Sequence, residues 1–380
     1  MWVRLMEYTK IKNINEYVSE SVSPMNTPEQ IFEMYSVPIY STGHPEYLHG
    51  NEIASNKVKV RKNDVLLCKI NPRINRVWIV ADESAYPCIA SSEWIVIRNS
   101  EYNPEFLAWY FRSPKFKQLM TSEVTGIGGS LTRAQPKAVA EYPVPVIERQ
   151  EQDVITEILN KIYNIIDARR REINILDDLI KARFVEMFGN EKNLMPISDI
   201  CSIITDGTHQ PPKFRDTGIP FIFVSNITGD KVTYDAEKFI DQDTYDELIK
   251  RTPIEIGDVL LSTVGSYGHP AVVKSNKKFL FQRHIAYLKP RREIIDSDYL
   301  HGAILSPDAQ RQIEEGVKGI AQKTLNLSEI KKMRIPVPDM NKQKEFATFS
   351  AQVDKSKVAV QKSLDETQLL FNSLMQKYFG

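Results

Sequence analysis

Gly126-Ile127-Gly128-Gly129-Ser130 is a glycine-rich run whose backbone amides could approach a phosphate. It carries no basic residue at the spacing of a nucleotide-binding phosphate loop, and no G-x-G-x-x-G follows a strand-like segment. The run therefore reads as a phosphate-approaching tip or as a plain loop. The six histidines, His44, His49, His209, His269, His284 and His301, show no pair spacing on one helix and point to no metal centre. Cys68, Cys88 and Cys201, odd in number and far apart, make neither a disulfide framework nor a ligand pair and read as buried reduced thiols. No G-x-S-x-G elbow occurs. The Asn/Asp-Pro-Pro-aromatic segment that holds a target amine in amino-methyltransferases is also absent. No catalytic residue is expected.

What remains is phosphate chemistry. Lys57, Lys59, Arg61, Lys62, Lys69, Arg73 and Arg76 share residues 57–76 with one acid, Asp64. Lys274, Lys277, Lys278, Arg283, Lys289, Arg291 and Arg292 share residues 274–292 with none. With 49 basic and 49 acidic side chains the net charge is zero, which counts mildly against a nucleic-acid partner, but that zero hides two basic patches. At 380 residues the chain should hold two or three domains, and 42% hydrophobic with 26% charged residues excludes disordered and collagen-like classes. No apolar run approaches the roughly 20 residues of a membrane span, so no membrane partner is expected. Met1-Trp2-Val3-Arg4-Leu5-Met6-Glu7 lacks a signal layout, and the expected location is the cytoplasm.

The elements that carry these residues occur twice. Asp64-Val65-Leu66-Leu67 recurs as Asp258-Val259-Leu260-Leu261, 194 positions later. Pro104-Glu105-Phe106-Leu107 through Ser113-Pro114 matches Ser297-Asp298-Tyr299-Leu300 through Ser306-Pro307 at an offset of 193. Gly126-Ile127 with Gly319-Ile320, and Pro143-Val144-Pro145 with Pro336-Val337-Pro338, keep that 193, and Phe188-Gly189 matches Phe379-Gly380 at 191. An ordered series at a nearly constant offset indicates two tandem copies of a globule plus a helix. Residues 1–147 mix β-rich runs (Val77–Val80, Trp94–Ile97) with turn signals, and one helix is expected near 104–120 with Pro104 at its first position. Pro143-Val144-Pro145 reads as an extended connector.

Residues 150–188 contain neither Pro nor Gly. Ile155, Leu159, Ile162, Ile166, Arg169, Ile173, Leu176, Ile180, Arg183 and Met187 alternate spacings of four and three, a heptad seam. Phe349, Val353, Val360, Leu364, Phe371, Leu374 and Tyr378 keep similar spacing, which Lys357 and Thr367 interrupt. The expected fold is α+β: target globules at 1–147 and 190–340, and long helices at 148–189 and 341–380 that pack as an antiparallel coiled coil. Arg169 and Arg183 either pair with acids of the opposite helix and fix register or are surface arginines.

Two α/β globules, each followed by a Pro-Val-Pro connector and a long helix ending in Phe-Gly, resemble the specificity subunit of a type I restriction–modification system. Asp206-Gly207-Thr208-His209-Gln210-Pro211-Pro212 followed by Gly218-Ile219-Pro220-Phe221-Ile222 is similar to the opening of a target-recognition domain of that family. So are Gly257-Asp258-Val259-Leu260-Leu261-Ser262 and Gln282-Arg283-His284-Ile285-Ala286. Ile335-Pro336-Val337-Pro338 before Gln343 and Glu345, and Tyr142-Pro143-Val144-Pro145 before Gln150-Glu151, resemble the start of its conserved regions. The first copy departs from the pattern, since residues 20–50 lack an Asp-Gly-Thr-His start.

The resemblance implies that each globule reads one half of a bipartite sequence in double-stranded DNA while the helices set the spacer. Phosphate contacts are expected from Lys57, Lys59, Arg61, Lys62, Arg73 and Arg76, and from Lys274, Lys277 and Lys278. Base-edge contacts are expected from Ser130, Thr132 and Arg133 in copy one, and from Gln322, Lys323 and Thr324 at the corresponding loop of copy two. Thr208, His209, Ser266 and Arg283 are further candidates. Each of these reads otherwise as a surface or turn residue. The family assembles with two modification subunits that use S-adenosylmethionine, and with restriction subunits that use ATP and Mg. The helices are the implied docking surface, with Ile158, Ile165 and Leu179 as its test residues. An adaptor whose duplicated globules bind proteins would lack a linear counterion slope with salt. A nuclease built on scattered carboxylates would show metal-dependent cleavage by the chain alone.

Overall fold

The computed structural model describes residues 7–81, 83–122, 124–125, 132–319 and 323–380. They form two compact units, one of residues up to 168 together with 363–380, the other of residues 169–362.

In the first unit the strand Val65–Cys68 lies between Val77–Ile79 and Trp94–Ile97, antiparallel to both. All four of its residues are apolar because both faces are covered. Val65 and Leu67 pack on the helices, beside Phe106, Leu107 and Phe111. Leu66 and Cys68 face the other way, among Tyr35, Trp78 and Trp94. A second, five-stranded sheet runs in the order Ser21–Val22, Lys57–Lys59, Cys88–Ala90, Ile31–Tyr35, Glu46–His49. The single helix expected near 104–120 is two, Pro104–Arg112 and Pro114–Ser122. Pro114 removes a helical amide and holds Ser113 extended (φ −64°, ψ 151°).

The second unit repeats this plan. Val259–Ser262 sits between Pro270–Val272 and Ile285–Pro290, and Cys201–Asp206 adds a fourth strand. Val259 and Leu261 face the helices, while Leu260 faces Ile222, Phe281 and Tyr287. Ser297–Leu305 and Pro307–Gly316 are the paired helices. Each globule closes on a two-stranded tie between its first and last segments. Tyr8–Lys10 pairs with Pro143–Pro145, and Leu194–Pro196 pairs with Arg334–Pro336. The expected extended connector is thus a strand.

A buried glutamine secures each connector to its helix pair. Gln152 Oε1 accepts from the Asn103 amide at 2.8 Å and its Nε2 donates to the Ile147 carbonyl. Gln343 accepts from the Asp296 amide at 2.8 Å and donates to the Pro338 and Ile294 carbonyls. Asn103 and Asp296 are the N-caps of Pro104–Arg112 and Ser297–Leu305. The counterpart of Gln343 is therefore Gln152, whereas Gln150, which follows the first Pro-Val-Pro in the sequence comparison, is exposed.

The long helices span Arg149–Phe188 and Met340–Phe379. Ile155 and Leu159 enter the first unit's core, and Phe184 and Phe188 enter the second's. Phe346 belongs to the second core and Met375 and Phe379 to the first, where Phe379 stacks edge-on against Phe106 at 5.5 Å. Toward its C-terminal end the seam shifts by one residue, since Phe184 and Phe188 are buried while Arg183 and Met187 are half-buried. In the second unit Asp177 pairs with Lys357 and Arg183 with Glu345, so the two helix segments are antiparallel there. Lys357, which breaks the apolar pattern, thus has a carboxylate opposite it. Arg183 also contacts Glu186, and Arg169 pairs within its own helix with Glu172 at 2.7 Å.

Candidate nucleic-acid interface

In the second unit the Asp-Gly-Thr-His segment ends the strand Cys201–Asp206 and lies along Phe281–Arg283. The Thr208 amide donates to the Phe281 carbonyl at 2.9 Å, and the Arg283 amide donates to the Thr208 carbonyl at 3.1 Å. Gly207 is required by this approach, because a Cβ there would stand 2.3 Å from the Phe281 carbonyl oxygen. Asp206 then holds two side chains side by side: His209 Nε2 at 2.8 Å and Arg251 Nη2 at 2.5 Å. His209 and Arg251 are both about half exposed (51% and 52%), so each keeps polar atoms for an incoming ligand. Sequence reasoning missed Asp206 and Arg251 as functional residues. Asp206 was legible inside its motif, but Arg251 arrives from 45 positions away and carries no local signal.

Asp206, Thr263, Val264, Arg283, His284 and Thr324 line an open recess of about 410 Å³. Burial and the neighbouring Arg283 guanidinium lower the pKa of His284, favouring the neutral imidazole. Ser266 is exposed in the loop between the strands Val259–Ser262 and Pro270–Val272. Lys323 lies over the Tyr267 ring, and the Tyr267 hydroxyl donates to Glu314.

The first unit has a similar corner. The Ala134 amide donates to the Lys69 carbonyl at 2.9 Å, as the Leu325 amide donates to the Thr263 carbonyl at 2.8 Å. The bridge between Ile70 and Arg133 is matched by that between Val264 and Thr324. Thr132 is held there too, through its carbonyl and the Asn71 amide at 2.8 Å. Arg133 pairs with Glu93 at 3.2 Å. Arg73 is exposed on the short turn Pro72–Ile74, which is flanked by left-handed Asn71 and Asn75 (φ 48° and 54°). Ser130 and Gln322 lie outside the described residues.

The two basic runs do not stay together in space. A strand carries the chain across the sheet, so neighbours in sequence emerge at opposite ends. Arg61 and Lys62 are exposed before Val65–Cys68, whereas Arg73 and the half-buried Arg76 follow it. Lys59 is paired with Glu20 at 2.9 Å. Lys57 is buried, with its ammonium donating to the Ser55 carbonyl and hydroxyl, and burial lowers its pKa. As placed it offers no ammonium to a phosphate. In the second run Arg283 stands beside Thr208. Lys274 pairs instead with Asp298, Lys277 lies over Tyr234, and Lys278 reaches Gln242 and the Tyr245 ring. On the long helices Ile165 and Leu179 are exposed and Ile158 is half-buried.

All three cysteines are free and buried, and burial pushes the Cys201 thiol up to about 12. Among the described residues no group of three or more His, Cys, Asp or Glu could hold a metal ion. No helix among them is long and apolar enough to cross a membrane.

The two copies thus share an α+β scaffold with a polar loop corner on each. Residues 190–367 match the family model of the type I restriction modification DNA specificity domain. It is 21% identical over 315 residues to the type I restriction enzyme EcoBI specificity subunit of Escherichia coli, covering 74% of this chain and 65% of the relative. The chain thus spans just under two thirds of that relative's length. It is 19% identical to the type I restriction enzyme MjaVIII specificity subunit of Methanocaldococcus jannaschii, covering 92% of this chain and 86% of that one. A solved chain from a type I R-M system shares the fold, with a TM-score of 0.60 at 18% identity over 98% of this chain and 97% of that one.

Proposed function

We propose that this chain is the DNA-sequence specificity subunit of a type I restriction–modification assembly, each globule reading one half of a bipartite site. The observation that carries the reading is the doubled loop corner. The same backbone contacts recur at Lys69–Ala134 and Thr263–Leu325, yet they present different side chains. Copy one offers Arg73, Thr132 and Arg133; copy two offers Thr208, His209, Ser266, Arg251, Arg283, Lys323 and Thr324. A constant scaffold with different tips is what reading two different half-sites requires. Arg61, Lys62 and the remaining exposed lysines hold phosphates away from the bases.

The 40-residue helices, about 60 Å each at about 1.5 Å per residue, pack as an antiparallel coiled coil and set the spacer between half-sites. Two modification subunits dock on their exposed apolar residues, including Ile158, Ile165 and Leu179. S-adenosylmethionine is carried by those subunits, and ATP with Mg by restriction subunits. This chain recognises DNA and leaves the chemistry to its partners in the cytoplasm.

The test is methylation mapping of DNA from cells that express this chain with its modification subunit. The expected result is a two-part methylated motif that depends on this chain and changes in one half when one globule is exchanged. Unmethylated DNA beside a demonstrably active modification subunit would overturn the proposal.

A further inference from the structure

One position in each unit lies just before the strand Trp94–Ile97 or Ile285–Pro290, and backbone contacts make the two positions equivalent. The Lys69 amide donates to the Glu93 carbonyl at 3.1 Å, and the Thr263 amide donates to the His284 carbonyl at 3.0 Å. Lys69 and Thr263 directly follow the matching strands Val65–Cys68 and Val259–Ser262. The turn leading into the position recurs too: the Trp94 amide donates to the Ser91 carbonyl, and the Ile285 amide to the Gln282 carbonyl, both at 3.1 Å. Glu93 therefore corresponds to His284 and Ser92 to Arg283, at a spacing of 191 that differs from the 194 of the strands. By the matching contacts of Ala134 and Leu325, Arg133 corresponds to Thr324.

In both units the side chain at this position holds a guanidinium, although the arginine arrives by different routes. Glu93 Oε1 lies 3.2 Å from Arg133 Nη2, and the carboxylate side chain is the less exposed of the pair, 25% against 53%. In the second unit Thr324 stands where Arg133 would be, and the guanidinium comes from the chain neighbour instead. Arg283 Nε donates to His284 Nε2 at 3.4 Å, a bond that a neutral imidazole accepts. Arg283 is exposed and His284 half-buried. Two different loops thus produce one arrangement, an exposed arginine braced by a less exposed side chain.

Bracing restricts the arginine without adding positive charge, and in the first unit Glu93 offsets the charge of Arg133. A phosphate contact draws on charge and tolerates loose aim, whereas a base edge must be met with fixed geometry. The planar arginine fork matches the paired O6 and N7 acceptors that guanine shows in the major groove.

We infer that Glu93 and His284 are positioning residues, each aiming one arginine, Arg133 or Arg283, at a guanine, so that each half-site contains a required G·C pair. The inference rests on the proposed reading of DNA and deepens it.

The test is methylation of a duplex library randomised over both half-sites, by this chain assembled with its modification subunit and read by sequencing. The expected result is a G·C requirement at one position in each half. Arg133→Ala and Glu93→Gln should lower the guanine preference at the same position of one half by about fivefold or more. Arg283→Ala and His284→Ala should do the same at one position of the other half. The unaltered half reports that each variant is folded and assembled. His284→Gln, whose amide oxygen can accept from Arg283, should restore part of the preference. Glu93→Gln should add nothing to Arg133→Ala, nor His284→Ala to Arg283→Ala, because each acts through its arginine. No G·C requirement, no effect of Glu93→Gln and His284→Ala, an effect at a position other than the arginine's, or a uniform loss over all sequences would overturn the inference and leave the two-part reading standing. Absence of any two-part motif would overturn both.

Discussion

Both oxygens of Asp206 are engaged, by His209 and Arg251, so under the proposed function it orients those side chains rather than touching DNA. Asn in its place would keep the shape and lose the charge that holds Arg251 beside His209. Asp206→Asn and Arg251→Ala are each expected to relax one base position in the half-site read by the second globule. A lost bidentate base contact weakens discrimination by about 1–3 kcal/mol, or roughly 5- to 150-fold, and methylation mapping would show the other half unchanged. Loss of specificity in both halves would count against this assignment. In the first unit Lys57 and Arg61 make a matched pair of controls, because one is buried on Ser55 and the other is exposed. Arg61→Ala in the assembled complex should reduce the slope of log affinity against log salt by about 1. Lys57→Met should leave that slope unchanged, and binding titrations at several salt concentrations would separate the two.

Two kinds of element carry the scaffold, the glutamine clamps and the long helices. Removing either clamp leaves a buried amide and carbonyl without partners, at about 1–3 kcal/mol for an unsatisfied buried group. Gln152→Ala and Gln343→Ala should therefore each lower the melting temperature of the full chain, while Gln150→Ala, at an exposed position, should not. Ile165→Asp and Leu179→Asp alter exposed positions. They should abolish co-purification with modification subunits without lowering the melting temperature of the isolated chain. Much of this level was legible in the sequence, because helix and strand periodicities are local and Pro or Gly marks their ends. The helices, the Val65–Cys68 and Val259–Ser262 strands and their duplication follow from such signals. Pro114 was also there to be read, and its break at Ser113 shows that a helical pattern does not override the local cost of proline. Contacts made across the fold were not legible. Arg251 at Asp206, Lys357 at Asp177 and the withdrawal of Lys57 onto Ser55 depend on which sheet end each residue reaches. For the same reason, Lys274, Lys277 and Lys278 looked like one surface with Arg283 in sequence, yet they turn to other partners in the fold.

At the scale of the whole molecule, the first unit is not continuous in the chain: it is completed by residues 363–380, whereas the second is the single stretch 169–362. Phe379 against Phe106, and Phe371 against Trp109, make that segment part of the first core. Truncating a buried phenylalanine costs about 3–5 kcal/mol. Phe379→Ala should accordingly lower hydrogen-exchange protection in the helices Pro104–Arg112 and Pro114–Ser122, with the second unit's strand Val259–Ser262 unaffected. Equal loss in both units would show that the core is shared more widely than these contacts indicate. The arrangement also imposes an order on biosynthesis. Ribosomes emit roughly 5–20 residues per second, so a closing segment about 200 residues downstream follows its core by on the order of 10–40 s. During that interval the nascent first globule shows the solvent the apolar notch that Phe371 and Phe379 later fill, which makes it a natural client for holdase chaperones.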